Sequence, residues 1–299
     1  MTIETFLSQA SGQIELGFPG EAIARLMVLL DLAAEDGPRL DHARSDLVAH
    51  PLFALLRQDP AVAIAQGCGP DRINQLVSQI NGAPNSAEPA SMGSALSHFM
   101  AASAFNRAIC ARVKHASELL TRAWQDGRSI AVLGESFDAE LMGLRGHELS
   151  NLTISASTAE RAKHLTGLLG PIAAIAELSA ADILTTAAAA RTQFDLIYLP
   201  RAAETMDAAD LAGLLEQART VLAPTGSIVA PAFLAGRIAQ GWQHACLNWL
   251  VQNHTEAALS AACGSENLQI RMIGDQADCF VWLVASQATS KFTNRGDRG

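Results

Sequence analysis

Apolar residues recur along this chain with two different periods, and the change falls near Asp126. Before it the spacing is helical. Glu21 to Glu35 (EAIARLMVLLDLAAE) carries a strong apolar face and follows Pro19, a good helix start. Ser45 to Arg57 and Asp71 to Ile80 are further helical segments, punctuated by Pro38, Pro51, Pro60 and Pro70. Residues 81–93 (NGAPNSAEPASMG) read as a loop by composition. A long helix is then expected from about Ser94 to Gln125. Leu96, Phe99, Ala102, Phe105, Ile109, Val113, Ala116, Leu120 and Trp124 form its single stripe, and Arg107, Lys114, Glu118 and Arg122 lie elsewhere on its circumference.

After Asp126 short apolar runs alternate with helical stretches. Ser129 to Leu133 ends at Gly134, and a helix-like stretch follows. Leu152 to Ser157 precedes a helix from Thr158 to Leu169. Phe194 to Leu199 precedes a helix from Met206 to Leu222, with Asp207 or Asp210 near its start. Ser227 to Phe233 is a further strand and Gly241 to Ala262 a further helix. Leu268 to Ile273 and Cys279 to Ala285 read as a closing strand pair. Gly170 to Arg191 is Ala-rich and ambiguous; the alternation requires a strand inside it, near Ile172 to Glu177. Such alternation predicts a mostly parallel sheet covered on both faces. The expected organisation is a helical region over residues 1–93, a connecting helix over 94–127, an α/β domain over 128–286 and a loose tail over 287–299.

Composition narrows the class. With 299 residues, 49% hydrophobic and 17% charged, the chain can bury a large core. A net charge of −9 argues against a nucleic-acid surface, which needs clustered positive charge. The five cysteines are scattered, with no zinc or redox spacing, and read as reduced cytoplasmic thiols. The N-terminus lacks the basic start of a signal peptide, and the uncharged run Thr220 to Gly236 is broken by prolines and glycines, so no membrane partner is expected.

Several segments together resemble a known family. HPLFALLRQDP (His50 to Pro60), SIAVLGESFDAEL (Ser129 to Leu141), FDLIY (Phe194 to Tyr198), LLEQARTVLAPTGSIV (Leu214 to Val229) and WLVQNHTEAAL (Trp249 to Leu259) occur in the order and spacing of one group of class I S-adenosylmethionine-dependent methyltransferases. These are the bacterial enzymes linked to methyl esters of 3-hydroxy fatty acids, a cell–cell signal. The similarity spans roughly Leu47 to Ala285. It implies an α/β, Rossmann-like sheet of seven mostly parallel strands under a helical N-terminal lid. It also implies S-adenosylmethionine as cofactor and a pocket at the C-terminal edge of the sheet.

The chain departs from that pattern where the cofactor would sit. A nucleotide-binding turn uses glycines so that backbone N–H groups approach the ligand. Here the turn has Gly134, followed by Glu135, Ser136 and Asp138. An acidic residue ending the second strand would grip the ribose hydroxyls; Ser155 or Ser157 stands in that place. The family's KPRGYAGD segment is written AQGCGPDRI (Ala65 to Ile73), and Tyr198 is the only tyrosine. Cofactor binding is therefore expected to be weak or absent.

The candidate residues each carry two readings. Glu135 and Asp138 either face the cofactor's cationic end or cap the following helix. Glu140, one turn further on, reaches the pocket or only solvent. Arg201 and Glu204, after the fourth strand, serve either substrate carboxylate recognition by Arg201 or a surface ion pair. His254 stands where the family has an arginine, and is either a general base or a structural residue. His50 packs or caps at the start of the Pro51 helix. Two functions remain open: methyl transfer to a small acid or hydroxyl compound, or an inactive relative that serves as a binding or partner subunit. The partners implied are a small-molecule substrate or a protein, a second copy in a homodimer included.

Overall fold

A computed structural model describes residues 3–67, 71–82, 92–135, 137–170, 174–236, 240–263, 268–274 and 280–287. The expected tail after Gln287, Ser136 and most of the 81–93 loop lie outside the described residues.

Helices occupy the first 125 residues: α1 (Ile3–Glu15), α2 (Pro19–Ala34), α3 (Gly37–Ala49), α4 (Pro51–Leu56), α5 (Pro60–Ala65), α6 (Arg72–Gly82), α7 (Met92–Ala101) and α8 (Ala104–Gln125). Prolines stand in the first turn of α2, α3, α4 and α5, where the missing N–H costs nothing. Pro51 splits the expected Ser45 to Arg57 helix in two. His50 takes the capping reading: its Nδ1 accepts from the Leu52 N–H at 3.1 Å.

The long helix expected from Ser94 to Gln125 is two helices. Ser103 has extended backbone (φ −64°, ψ 151°), and its hydroxyl accepts from the Asn106 N–H. It ends one helix and caps the next, which the apolar stripe could not reveal because the stripe continues across the break.

The α/β region follows as β1 (Ile130–Val132), α9 (Asp138–Leu141), β2 (Leu152–Ser155), α10 (Ala159–Leu169), β3 (Ala174–Ala176), α11 (Ala180–Ala190), β4 (Phe194–Tyr198), α12 (Ala202–Thr205), α13 (Ala208–Thr220), β5 (Leu222–Phe233), α14 (Gln240–Ala245), α15 (Glu256–Cys263), β6 (Leu268–Gly274) and β7 (Phe280–Gln287). The strand sought in the Ala-rich stretch is β3. Thr158, Ser179 and Asp207 cap α10, α11 and α13.

The seven strands form one sheet in the order β3-β2-β1-β4-β5-β7-β6. All the pairings among β1 to β5 are parallel, and β7 runs antiparallel to both its neighbours. FDLIY is central, paired with β1 and β5. Four of its five residues are buried and Asp195 is half-buried, which suits a strand covered on both faces.

Gly241 to Ala262 is not one helix. Residues 246–255 leave the helical path, with Asn248 at φ +47° and His254 bridged to Leu234. The tertiary bridge outweighs local helix preference there.

Three apolar clusters follow this layering. One face of the sheet packs on α11, α13 and α15, the other on α8 and α10. A third joins α1 to α8 with Phe137, Phe233, Trp242, Trp249 and Phe280. Phe233 ends β5 and Phe280 starts the antiparallel β7, so the helical region covers the C-terminal edge of the sheet as a lid. Among the described residues, no helix is long and apolar enough to cross a membrane.

Candidate functional site

The loop after β1 opens on Gly134, whose φ of +104° favours glycine. The Gly134 N–H donates to the Ser155 hydroxyl at 2.6 Å. Ser155, one of the two serines expected at the end of the second strand, is buried and turned onto the loop. Ser157 donates to Glu135. Glu135 also lies 3.7 Å from Arg161 on α10, and the same arginine reaches Asp138 at 2.8 Å. His164, one turn further along α10, contacts Asp138 at 2.6 Å. Asp138 starts α9, and its N–H donates to the Asn74 side-chain oxygen of α6 at 3.1 Å. The lid is thereby latched to the loop after β1.

These groups border a cleft of about 380 Å³, within the range of small-ligand pockets. Asp71, Ile73 and Asn74 line it from the lid. Glu135, Phe137, Ser157, Thr158, Glu160, Arg161, His164 and Arg201 line it from the sheet edge.

Behind Phe137 lies a fully buried ionic cluster. Arg112 of α8 donates from Nε to Glu140 at 3.1 Å, from one terminal nitrogen to Glu204 and from the other to the Pro200 carbonyl at 2.6 Å. Its guanidinium stacks 4.5 Å from the Phe137 ring centroid. Arg201 donates to the second Glu204 oxygen at 3.0 Å. Two guanidiniums thus balance two carboxylates. Burial alone would lower the Arg112 pKa, but Glu204 and Glu140 hold it above the ordinary value. Burial pushes the Glu140 carboxyl up, with Arg112 pulling the other way. Burial raises the pKa of the Tyr198 hydroxyl, which sits against these charges.

The site residues read from sequence are thus divided. Gly134, Glu135, Asp138, Ser155 and Ser157 come together at one loop, bonded to protein groups. Glu140 faces neither pocket nor solvent; it is buried on Arg112. The Arg201–Glu204 pair is not a surface pair, because Glu204 is 1% exposed. Tyr198 is buried beneath the cleft floor and does not line the cleft. His254 takes the structural reading. It is buried, lies outside the cleft lining, and its Nε2 donates to the Ala203 carbonyl at 2.8 Å. Sequence reading missed Arg112, Arg161, His164 and Asn74. For Arg112 a signal existed: it sits among Ala108, Ile109, Val113 and Ala116 on the buried face of α8.

One antiparallel strand, β7, enters between β5 and β6 of an otherwise parallel sheet, and a β1 glycine turn opens under a helical lid. The fold is that of the class I methyltransferases. No protein-family model matches the chain, and no curated protein matches its sequence. Among solved structures it is similar to the mitomycin 7-O-methyltransferase MmcR, with 18% identity, TM-score 0.45, and 80% of this chain and 76% of that one covered. It is also similar to the pyocyanin biosynthetic protein PhzM, with 17% identity, TM-score 0.43, and 71% and 61% covered. A third is the magnesium protoporphyrin IX methyltransferase ChlM from Synechocystis PCC 6803 with bound S-adenosylmethionine, with 9% identity, TM-score 0.43, and 71% and 89% covered.

Proposed function

We propose that this methyltransferase-fold protein binds a small molecule in the cleft above β1 and β2 without transferring a methyl group from S-adenosylmethionine. The observation that carries this is the Gly134–Ser155 hydrogen bond. It occupies the backbone donor and the side chain that a nucleoside cofactor would need. Around it the two carboxylates suited to a cationic sulfonium already hold Arg161 and His164. Opening the site costs the Arg161 ion pairs and the hydrogen bonds of Asp138 to His164 and Glu135 to Ser157, each hydrogen bond about 1.5–3 kcal/mol when charge-assisted. The arginine also places positive charge where the cofactor brings its own. The residues present do not fit S-adenosylmethionine.

A second reading, methyl transfer to a small acid or hydroxyl compound, is favoured by one observation. The cleft remains about 380 Å³ in volume and is bordered by the lid residues Asp71, Ile73 and Asn74. Titration of S-adenosylmethionine and S-adenosylhomocysteine into the purified protein separates the two. The expected result is no binding below about 1 mM. Affinity near 1 μM would overturn the first reading and establish the second. Ser155→Asp is expected to leave binding absent, because the new carboxylate would accept the Gly134 N–H in its turn.

A further inference from the structure

The cleft has two electrically different sides. At its buried side Arg201 is held by Glu204 on Nε and by the Phe137 ring, 5.7 Å from its guanidinium carbon. Its side chain is 19% exposed. Among the described residues no hydrogen-bond partner is found for its two terminal nitrogens. They present the planar two-donor edge that matches a carboxylate. Asn74 lines the same cleft, its oxygen fixed on the Asp138 N–H, so that the amide nitrogen is left to donate. Asp71 and Glu160 line the same cleft as exposed residues and form its rim, and Glu135 lines it half-buried. Ile73 and Phe137 supply apolar wall.

We propose that the cleft binds an amino acid with an apolar body, its carboxylate on Arg201 and its ammonium group toward the acidic rim. This rests on the reading that the site does not hold S-adenosylmethionine. The choice of a zwitterion follows from charge. A simple carboxylic acid must pass Asp71 and Glu160 on a chain of net charge −9, which repels it. A simple amine meets Arg201 with nothing to offer it. A molecule carrying both charges has no net charge to repel and satisfies both sides.

The test is calorimetric titration of the whole protein with three zwitterions and their truncated partners. L-phenylalanine is compared with 3-phenylpropanoate and phenethylamine, 6-aminohexanoate with hexanoate and hexylamine, and L-leucine with 4-methylpentanoate and isoamylamine. The expected result is that at least one zwitterion binds about tenfold or more tightly than both of its truncations. Arg201→Lys keeps the charge beside Glu204 but loses the fork, and should weaken that ligand about tenfold with the thermal midpoint little changed. Glu160→Gln, on the exposed rim, should weaken the zwitterion and leave the truncated acid unaffected or improved. Absence of zwitterion binding below about 10 mM would overturn the proposal, as would equal binding of a truncated acid or full affinity in a folded Arg201→Lys variant. Failure here with no S-adenosylmethionine binding leaves the first reading standing. Micromolar S-adenosylmethionine binding removes both.

Discussion

The Ser155 hydroxyl accepts the Gly134 N–H at 2.6 Å, joining the end of β2 to the turn after β1. The acceptor is buried and the bond part-buried, so removing it leaves a backbone donor poorly placed for another partner. Ser155→Ala should therefore destabilise the protein by about 1–3 kcal/mol in urea unfolding. A loss under about 0.5 kcal/mol would mean that the turn relaxes to another acceptor.

Arg112 is bonded to both buried carboxylates, Glu140 and Glu204, whereas Arg201 reaches Glu204 alone. Arg112→Met leaves Glu140 without its cation and Glu204 with Arg201 alone. The expected cost is about 3–5 kcal/mol, read as a shifted urea midpoint. A cost below about 1 kcal/mol would show that water reaches the carboxylates.

Gly241 lies at the start of α14, against the backbone of Leu30 and Asp31 on α2. A Cβ there would overlap the Leu30 carbonyl group, and backbone cannot step aside as a side chain does. The Gly241 N–H also donates to Asp31 at 2.9 Å. Gly241→Ala should cost about 3 kcal/mol, at the upper end for overpacking. A fully stable variant would place the α2–α14 contact elsewhere.

Asp59 caps α5, and burial raises its carboxyl pKa above 3.8 despite hydrogen bonds from Val62 and Ser97. The folded state therefore binds a proton more tightly than the unfolded chain. Stability from this group is present below pH 3.8 and is lost as pH rises through the folded pKa. Asp59→Asn keeps an acceptor for the cap and removes the titration. The variant should gain on the parent as pH rises from about 4 to 7. A stability difference that stays flat across that range would refute the raised pKa.

Much of the architecture was legible because it rests on period and punctuation. FDLIY reads as a buried strand from its own residues, and Pro19 marks the real start of α2. The errors arose where one local signal masked another. Ser103 hides within a continuous apolar stripe, and His254 is drawn out of a helical pattern by a bridge to Leu234. The site was legible in part. Residues of the β1 turn are adjacent in sequence, so their chemistry could be weighed together. Arg161, His164 and Asn74 reach the same cleft from two other helices, and a lone polar residue on a helix carries no sign of the direction it faces. Arg112 differs, since a charge on an apolar face announces a buried partner.

The lid cluster joins helices from the first third of the chain to Phe233, Trp242, Trp249 and Phe280. Arg72 adds hydrogen bonds to the carbonyls of Leu247 and Asn248, more than 170 residues away. Helices α1 to α8 thus complete their core with segments that leave the ribosome more than 100 residues later. Until Phe280 has left the ribosome, Leu26, Leu30, Phe53 and Phe105 lack part of their native cover. The N-terminal helices must wait with apolar faces exposed. The exposure is set by the order of the chain, and a circular permutant opening between α8 and β1, with the native termini joined, would shorten that wait.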